Sequence, residues 1–174
     1  MKFAGIFVLI CVLGLVSPVF SNEDKSNAIN PGFSVSVNTM GLFLGTYGGA
    51  VEFKIIDRLS ISADGFYSSR HIDNNGYNIV SLSAGARFYF IGKGVEGMWA
   101  GVSGGAKFVD ITRNGRSYNG VLSMLHIGLG YKIAFDNFFI EPYGGYSFAG
   151  GEISGVPEYG GGASLYGANM GFMF

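Results

Sequence analysis

The side chains that could do chemistry in this chain are a few charged residues spread among apolar ones. Only 13% of the 174 residues are charged, yet several of these interrupt otherwise apolar segments. Their types allow three kinds of chemistry: an ion or proton path, a structural network of ion pairs, or a Ser-His-acid site. The residues concerned are Glu52, Lys54, Asp64, Arg87, Lys107, His126, Lys132 and Glu141.

The elements that must position these residues are β-strands, because polar and apolar residues alternate from Pro31 onward. One face of each strand is apolar. The seven residues named above that carry a full charge, all except His126, lie on the other face. Asp110 has the parity of the apolar face, but it lies at the end of its strand. A charge that faces lipid near the bilayer midplane costs about 2–4 kcal/mol, which explains this segregation. The predicted strands are 32–42, 47–55, 59–69, 78–90, 98–112, 121–135, 138–148 and 162–174.

This pattern predicts an all-β fold, an eight-stranded antiparallel up-and-down transmembrane β-barrel. Many inward positions are glycine, as a narrow lumen filled by side chains requires. The inward charges are nearly balanced, with four basic and three acidic residues. A selective pore usually carries a ring of one sign, so we predict that these charges form a structural network with His126 as a member.

The composition excludes several classes of protein. Apolar residues make up 48% of the chain and aromatic residues 16%, and there are 30 glycines, which fits neither a disordered chain nor an ordinary soluble core. The sequence has no stripe of basic residues, so nucleic-acid binding is not expected. After residue 21 the chain has no apolar run of about 18 residues, so a closed barrel is the only structure with which it could span a bilayer.

The N-terminus predicts export from the cytoplasm. Lys2 precedes an apolar run from Phe3 to Val16, which is shorter than the roughly 20 residues that span a bilayer, and Val19-Phe20-Ser21 resembles a cleavage site. We therefore predict a signal peptide over residues 1–21, a flexible periplasmic tail over 22–30 and the barrel over 31–174. The single cysteine, Cys11, lies in the signal peptide, so the mature chain has no disulfide.

Four two-residue turns predict how neighbouring strands align. Asp57-Arg58 connects the second and third strands, and the other three each place two inward residues opposite one another. Asp136-Asn137 places Lys132 opposite Glu141, Asn75-Gly76 places Asp64 opposite Arg87, and Asn114-Gly115 places Ser103 opposite His126.

Three polar segments, 70–77, 113–120 and 150–161, predict the longer outer loops of a barrel. Exposed loops on a rigid scaffold are frequent binding sites, so an extracellular ligand is a possible partner. His71 has no second histidine or cysteine nearby, so neither a metal nor a cofactor is expected. The predicted loop residues are Arg70, His71, Arg113, Arg116, Tyr118, Glu158 and Tyr159.

The signal peptide, the eight-strand plan and the terminal phenylalanine together resemble the small outer-membrane barrels: OmpX, the OmpA membrane domain, OmpW and the opacity proteins. The resemblance implies a bacterial outer-membrane location with outer-membrane lipid as a partner, and we expect a monomer. It also implies recognition of the last strand by the barrel-assembly machinery. The matching residues are Tyr166, Phe172 and Phe174.

The leading functional prediction is a non-enzymatic protein of the outer membrane with a structural or surface-interaction role. The first alternative is a narrow channel for small or apolar solutes, lined by inward aromatic residues. The second is a lipid A-modifying enzyme, but barrels with that activity carry His-x-Ser, whereas His126 is followed by Ile127 and Gly128. We therefore predict no catalytic residues. The inward aromatic residues are Phe66, Tyr89, Trp99, Phe139 and Tyr143.

Overall fold

The structure, a computed structural model, describes residues 32–72, 75–92, 95–113, 115–154 and 156–174, with the backbone alone at Ile72 and residues 156–159. The predicted signal peptide and periplasmic tail lie outside the described residues. Within these described residues, eight strands and one short helix follow one another. They are β1 Phe33–Asn38, α1 Thr39–Phe43, β2 Thr46–Ile56, β3 Leu59–Ile72, β4 Asn75–Ile91, β5 Gly97–Arg113, β6 Arg116–Phe135, β7 Phe138–Ile153 and β8 Val156–Met173.

The eight strands form a closed antiparallel ring in which each pairs with its sequence neighbours and β1 pairs with β8. Val37 faces Met170 across the seam between β1 and β8. Cα partners followed from Val37 the other way round the ring end at Gly160, so the stagger is ten residues (170 − 160). Strands in such a barrel tilt by about 35–45° and leave a narrow interior. The predicted eight-stranded up-and-down barrel is confirmed.

The two faces of the wall differ as the alternation predicts. Inward Glu52, Lys132 and Glu141 are at most 2% exposed. Outward apolar side chains are exposed all round the barrel, and nothing else in the described chain covers them. They include Phe53, Ile61, Leu82, Phe88, Val102, Leu125, Ile127, Leu129, Phe148 and Phe172.

The prediction of long outer loops is wrong, because the polar segments continue the strands. β3 pairs with β4 as far as Ile72 and Asn75, and β5 pairs with β6 as far as Arg113 and Arg116. β7 and β8 likewise pair as far as Ile153, through most of the predicted loop 150–161. Backbone hydrogen bonds hold a hairpin together whether its side chains are polar or apolar, so a change of polarity marks the end of the apolar belt and not the end of a strand.

Two of the three predicted alignments are confirmed and one is wrong. Ser103 faces His126, and the β6–β7 ladder keeps the alignment set by Asp136-Asn137 on both sides of Lys132 and Glu141. Asp64, however, faces Ser83, and Arg87 faces Ser60. Asn75 and Gly76 therefore pair within the strands, with Ile72 and His71, and do not form the turn. The preference of Asn-Gly for a turn is local, and the interior contacts of Arg87 described below outweigh it.

The first strand is also shorter than predicted, since it ends at Asn38 and not at residue 42. The Asn38 side chain accepts a hydrogen bond from the Gly41 backbone N–H at 2.5 Å and donates one to the Tyr143 hydroxyl at 2.6 Å. These bonds turn the chain into α1, with Asn38 as its N-cap. None of the described helices is long and apolar enough to cross a membrane.

Gly171 lies on β8 at the seam, where a larger side chain has no room. A Cβ at this position would lie 1.9 Å from the Val35 carbonyl oxygen and 2.7 Å from the Ser36 Cα. We expect Gly171→Ala to lower the free energy of unfolding by about 1–3 kcal/mol, because both neighbours are backbone atoms that cannot move aside freely. Urea titration of the folded protein measures this loss.

Gly104→Ala on β5 is the matched control, because its Cβ would meet nothing closer than the Met124 carbonyl oxygen at 3.7 Å. Equal stability of the two variants would show that the seam is looser than described.

Candidate functional site: the barrel lumen

Four charged side chains from four strands meet inside the barrel. Lys132 Nζ lies 2.5 Å from Glu52 Oε2 and 3.5 Å from Glu141 Oε2. Arg87 Nη1 lies 3.2 Å from each of the same two oxygens. Two cations thus alternate with two carboxylates in a closed ring of ion pairs, which we call the charge cluster (Glu52, Arg87, Lys132 and Glu141).

The positions of these four residues on their strands bring them together. β2, β4, β6 and β7 each contribute one inward residue, and the stagger of the barrel brings these positions to one level. Asp64 on β3 joins from one side, with Oδ1 at 3.8 Å from Arg87 Nη2. A buried charge without a partner is strongly destabilising, so the five residues depend on one another.

Neutral groups bind the remaining oxygens of the cluster. Glu52 Oε1 accepts hydrogen bonds from the Tyr89 hydroxyl at 2.6 Å and from the Ser60 hydroxyl. Asn169 Nδ2 donates to Glu141 Oε1 at 3.0 Å, and Lys132 Nζ donates to Ser34 Oγ at 3.1 Å. Protein groups thus satisfy most of the hydrogen-bonding capacity of the carboxylates. This is typical of a structural network, whereas an ion path needs carboxylates that are free to bind passing ions.

Aromatic side chains close the lumen on the side of the cluster nearer Phe33 and Phe174. The Arg87 guanidinium carbon lies 4.3 Å from the Trp99 ring centre, and Lys132 Nζ lies 4.5 Å from that of Phe139. We call the buried residues packed here the aromatic floor. Its members are Tyr89, Val95, Trp99, Phe139 and Met173.

The other predicted network residues lie apart from the cluster. Lys54 Nζ lies 3.5 Å from Asp57 Oδ1, next to the β2–β3 turn. Lys107 and His126 lie further toward the hairpin ends. Five of the eight predicted residues are therefore in contact.

His126 and Ser103, two residues of the enzymatic alternative, face each other across the β5–β6 ladder. No hydrogen bond joins them in the part of the chain that is described, and His126 Nδ1 is buried there without any partner. Glu141, the third residue of the enzymatic alternative, is committed to the charge cluster. A nucleophile must lie within hydrogen-bond reach of its base, and this geometry does not provide that contact.

A cavity of about 390 Å³ lies above the charge cluster, that is, on the side opposite the aromatic floor. The sequence did not indicate it. It exists because inward residues at this level are small, and the available signal was a run of inward serines. These are Ser62, Ser81, Ser83, Ser103 and Ser147. Three of the predicted inward aromatic residues line this cavity: Phe66, Trp99 and Tyr143. Trp99 also packs in the aromatic floor, together with Tyr89 and Phe139.

The residues predicted for surface loops lie on strand ends. Arg70 and His71 lie on β3, Arg113 on β5, and Arg116 and Tyr118 on β6. All are exposed except Tyr118, which is half-buried and packs against an apolar cluster of Val109, Leu122 and Ile153. The side chains of Glu158 and Tyr159 lie outside the described part of the structure.

The three predicted assembly-signal residues lie on the outer face at the end of the chain. Tyr166 is 69% exposed and Phe172 is 53% exposed. The Phe172 ring packs edge-on against Phe138 at 5.7 Å, and the Phe174 ring lies 6.0 Å from that of Phe33. Phe174 also joins the seam, since its N–H donates to the Phe33 carbonyl.

Metal-ligating side chains do not gather anywhere in the described ranges: no group of three or more His, Cys, Asp or Glu residues is arranged to hold an ion there.

Comparison with solved structures finds similar folds. The N-terminal β-barrel domain of OprF from Pseudomonas aeruginosa matches with a TM-score of 0.49 and 23% identity, over 82% of this chain and 95% of that one. No family model and no curated protein matches the chain. The ring of eight antiparallel strands itself is the architecture of the small outer-membrane barrels that the sequence resembles.

Proposed function

We propose that this chain is an integral protein of the bacterial outer membrane, with a closed lumen and a structural or surface-interaction role. The observation that carries the proposal is the inversion of polarity across the wall: apolar side chains are exposed outside, and charges are buried inside. A soluble protein rarely exposes so continuous an apolar surface, whereas a barrel in lipid requires one.

The hairpin ends are the surface available for interaction outside the cell. Arg70, His71, Arg113 and Arg116 are exposed there, beyond the apolar belt. Guanidinium groups bind phosphate in a bidentate manner, so these arginines suit lipid phosphates or an acidic extracellular ligand. The outward aromatic residues of β8 support recognition by the assembly machinery.

The charge cluster and the aromatic floor argue against the alternative of a channel. Together they fill the lumen below the cavity, and Tyr89, Lys132 and Phe139 are at most 1% exposed. A solute that entered the cavity would have to break several ion pairs to pass.

The test is single-channel conductance of the purified protein in a planar bilayer. We expect the native protein to be silent and the Asp64→Ala, Glu141→Ala double variant to leak. Two of the three carboxylates near Arg87 and Lys132 are then missing, and the cations lose the contacts that hold them across the lumen. Removal of two exposed carboxylates, Asp110→Ala and Glu152→Ala, is the matched control and should leave the bilayer silent.

Reproducible openings of the native protein would overturn the closed-lumen part of the proposal and favour the channel. Failure of the native protein to enter lipid vesicles at all, judged by its digestion with external protease, would overturn the membrane location.

A further inference from the structure

Among the described residues, β1 closes the ring over only part of the height of the wall. β1 pairs with β8 only over residues 34–38 and with β2 only over residues 33–37. Above Asn38, residues 156–168 of β8 pair with β7 alone in the described chain, and Thr46–Gly48 of β2 pair with β3 alone. The space of one missing strand is therefore left between β8 and β2, and we call it the wall gap.

Helix α1 covers only the lower part of the wall gap. The Thr39 hydroxyl donates to the Ala168 carbonyl at 3.0 Å, which holds the start of α1 against β8. At the other side, Arg70 Nη2 donates to the Leu44 carbonyl at 3.3 Å. The lumen cavity reaches the gap, because Met40, Leu44 and Leu165 line it and all three remain exposed.

Apolar side chains lie at the wall gap, at the level of the lipid-facing belt. Leu165 is 39% exposed although it belongs to the inward face of β8, and Met40 is 38% exposed. Gly162 and Ser164 of β8 face Phe148 and Tyr146 of β7, which are outward apolar residues. A hydrocarbon chain in the surrounding bilayer can therefore reach the cavity past Leu165 and Met40, beside strand edges whose backbone groups have no ladder partner in the described chain.

The far side of the cavity carries a lysine without a carboxylate partner in the described chain, whereas Asp64, which also lines the cavity, is paired with Arg87. Lys107 lines it, and among the described residues no carboxylate pairs with this lysine. His126 lies on β6, the strand next to that of Lys107. It also lines the cavity, and its buried Nδ1 makes no hydrogen bond. Unsatisfied buried polar atoms are uncommon and mark places where a further group can bind.

We propose that the cavity binds a single-chain carboxylate amphiphile, that is, a long-chain fatty acid, which enters sideways through the wall gap. The carboxylate pairs with Lys107 and His126, and the chain lies along Leu165, Met40 and Phe66. A volume of about 390 Å³ is near the lower end of ligand sites, which suits one chain better than two. The inference rests on the proposed membrane location for the source of the ligand.

The experiment is photo-crosslinking of the full folded protein in a non-ionic detergent, with a long-chain fatty acid that carries a diazirine at mid-chain. We expect saturable labelling of inward-facing Leu165 and Met124 and of Met40, located by peptide mass spectrometry. The same fatty acid without the diazirine should compete, and the corresponding fatty alcohol should compete about tenfold less well, since it lacks the charge-assisted bond.

Lys107→Gln should weaken competition by the fatty acid about tenfold, whereas the matched Lys54→Gln change, outside the cavity, should not alter it. Labelling confined to outward-facing side chains such as Leu125 would overturn the site. Equal competition by acid and alcohol would overturn the carboxylate assignment, and this readout needs no variant. Because the labelling is done in detergent, it is independent of vesicle insertion, which tests the proposed function separately.

Discussion

Arg87→Met is expected to lower the free energy of unfolding by about 3–5 kcal/mol, the cost of breaking a buried ion pair from one side. Arg87 contacts Glu52, Asp64 and Glu141 and stacks on Trp99, so its removal leaves three carboxylates with Lys132 as the one remaining cation of the cluster. Methionine keeps much of the side-chain volume, so the loss reports on charge more than on packing. Urea titration of the folded barrel gives the value.

A second change should restore part of this stability. Glu141→Gln in the Arg87→Met background removes one of the two carboxylates that then share Lys132 and leaves the Glu52–Lys132 pair intact. We expect the double variant to be more stable than the single one by about 1 kcal/mol or more, within the usual coupling between contacting residues. Arg113→Met, at an exposed hairpin end, is the control and should change stability by no more than about 0.5 kcal/mol. A large loss in the control, or none in Arg87→Met, would contradict the assigned role of the cluster.

Leu129→Arg is expected to destabilise the protein in lipid by about 2–4 kcal/mol, the cost of placing arginine on the lipid face near the midplane. Leu129 lies on the outer face of β6, near the middle of the outward run from Val121 to Phe135, and it is 53% exposed in the isolated barrel. The fraction inserted into vesicles, measured against urea concentration, reports the loss.

Ser117→Arg provides a matched control on the same strand and the same face. Ser117 lies at the hairpin end of β6, where it pairs with Thr112, outside the apolar belt. The same substitution should cost no more than about 1 kcal/mol there, because the penalty decreases toward the interface. If the two variants behaved alike, the outer face of β6 would not lie in lipid, and the membrane location would have to be abandoned.

Much of the fold could be predicted from the sequence because a period of two and the cost of a lipid-facing charge act at every residue. The inward placement of Glu52, Lys132 and Glu141 follows from parity alone, and the two-residue turn at Asp136-Asn137 then fixes their alignment. Neither inference requires knowledge of distant contacts.

The parts that were wrong depend on interactions that a local pattern does not contain. The alignment of Arg87 is decided by carboxylates on β2, β3 and β7, against a favourable local turn at Asn75-Gly76. The early end of β1 depends on the bond from Asn38 to Tyr143, 105 residues away. The cavity is a volume left between side chains, and no single strand indicates it.

The seam between the first and last strands has a consequence for the order of folding. Phe33 and Phe174 are hydrogen-bonded across it, so closure of the barrel brings together residues from the two ends of the barrel sequence. Contacts of such high sequence separation are entropically the slowest to form, and until they do, β1 and β8 are both open edges. An unclosed chain can add strands from a neighbour at either edge. Slow closure of this seam is therefore the step during which the chain is most exposed to aggregation.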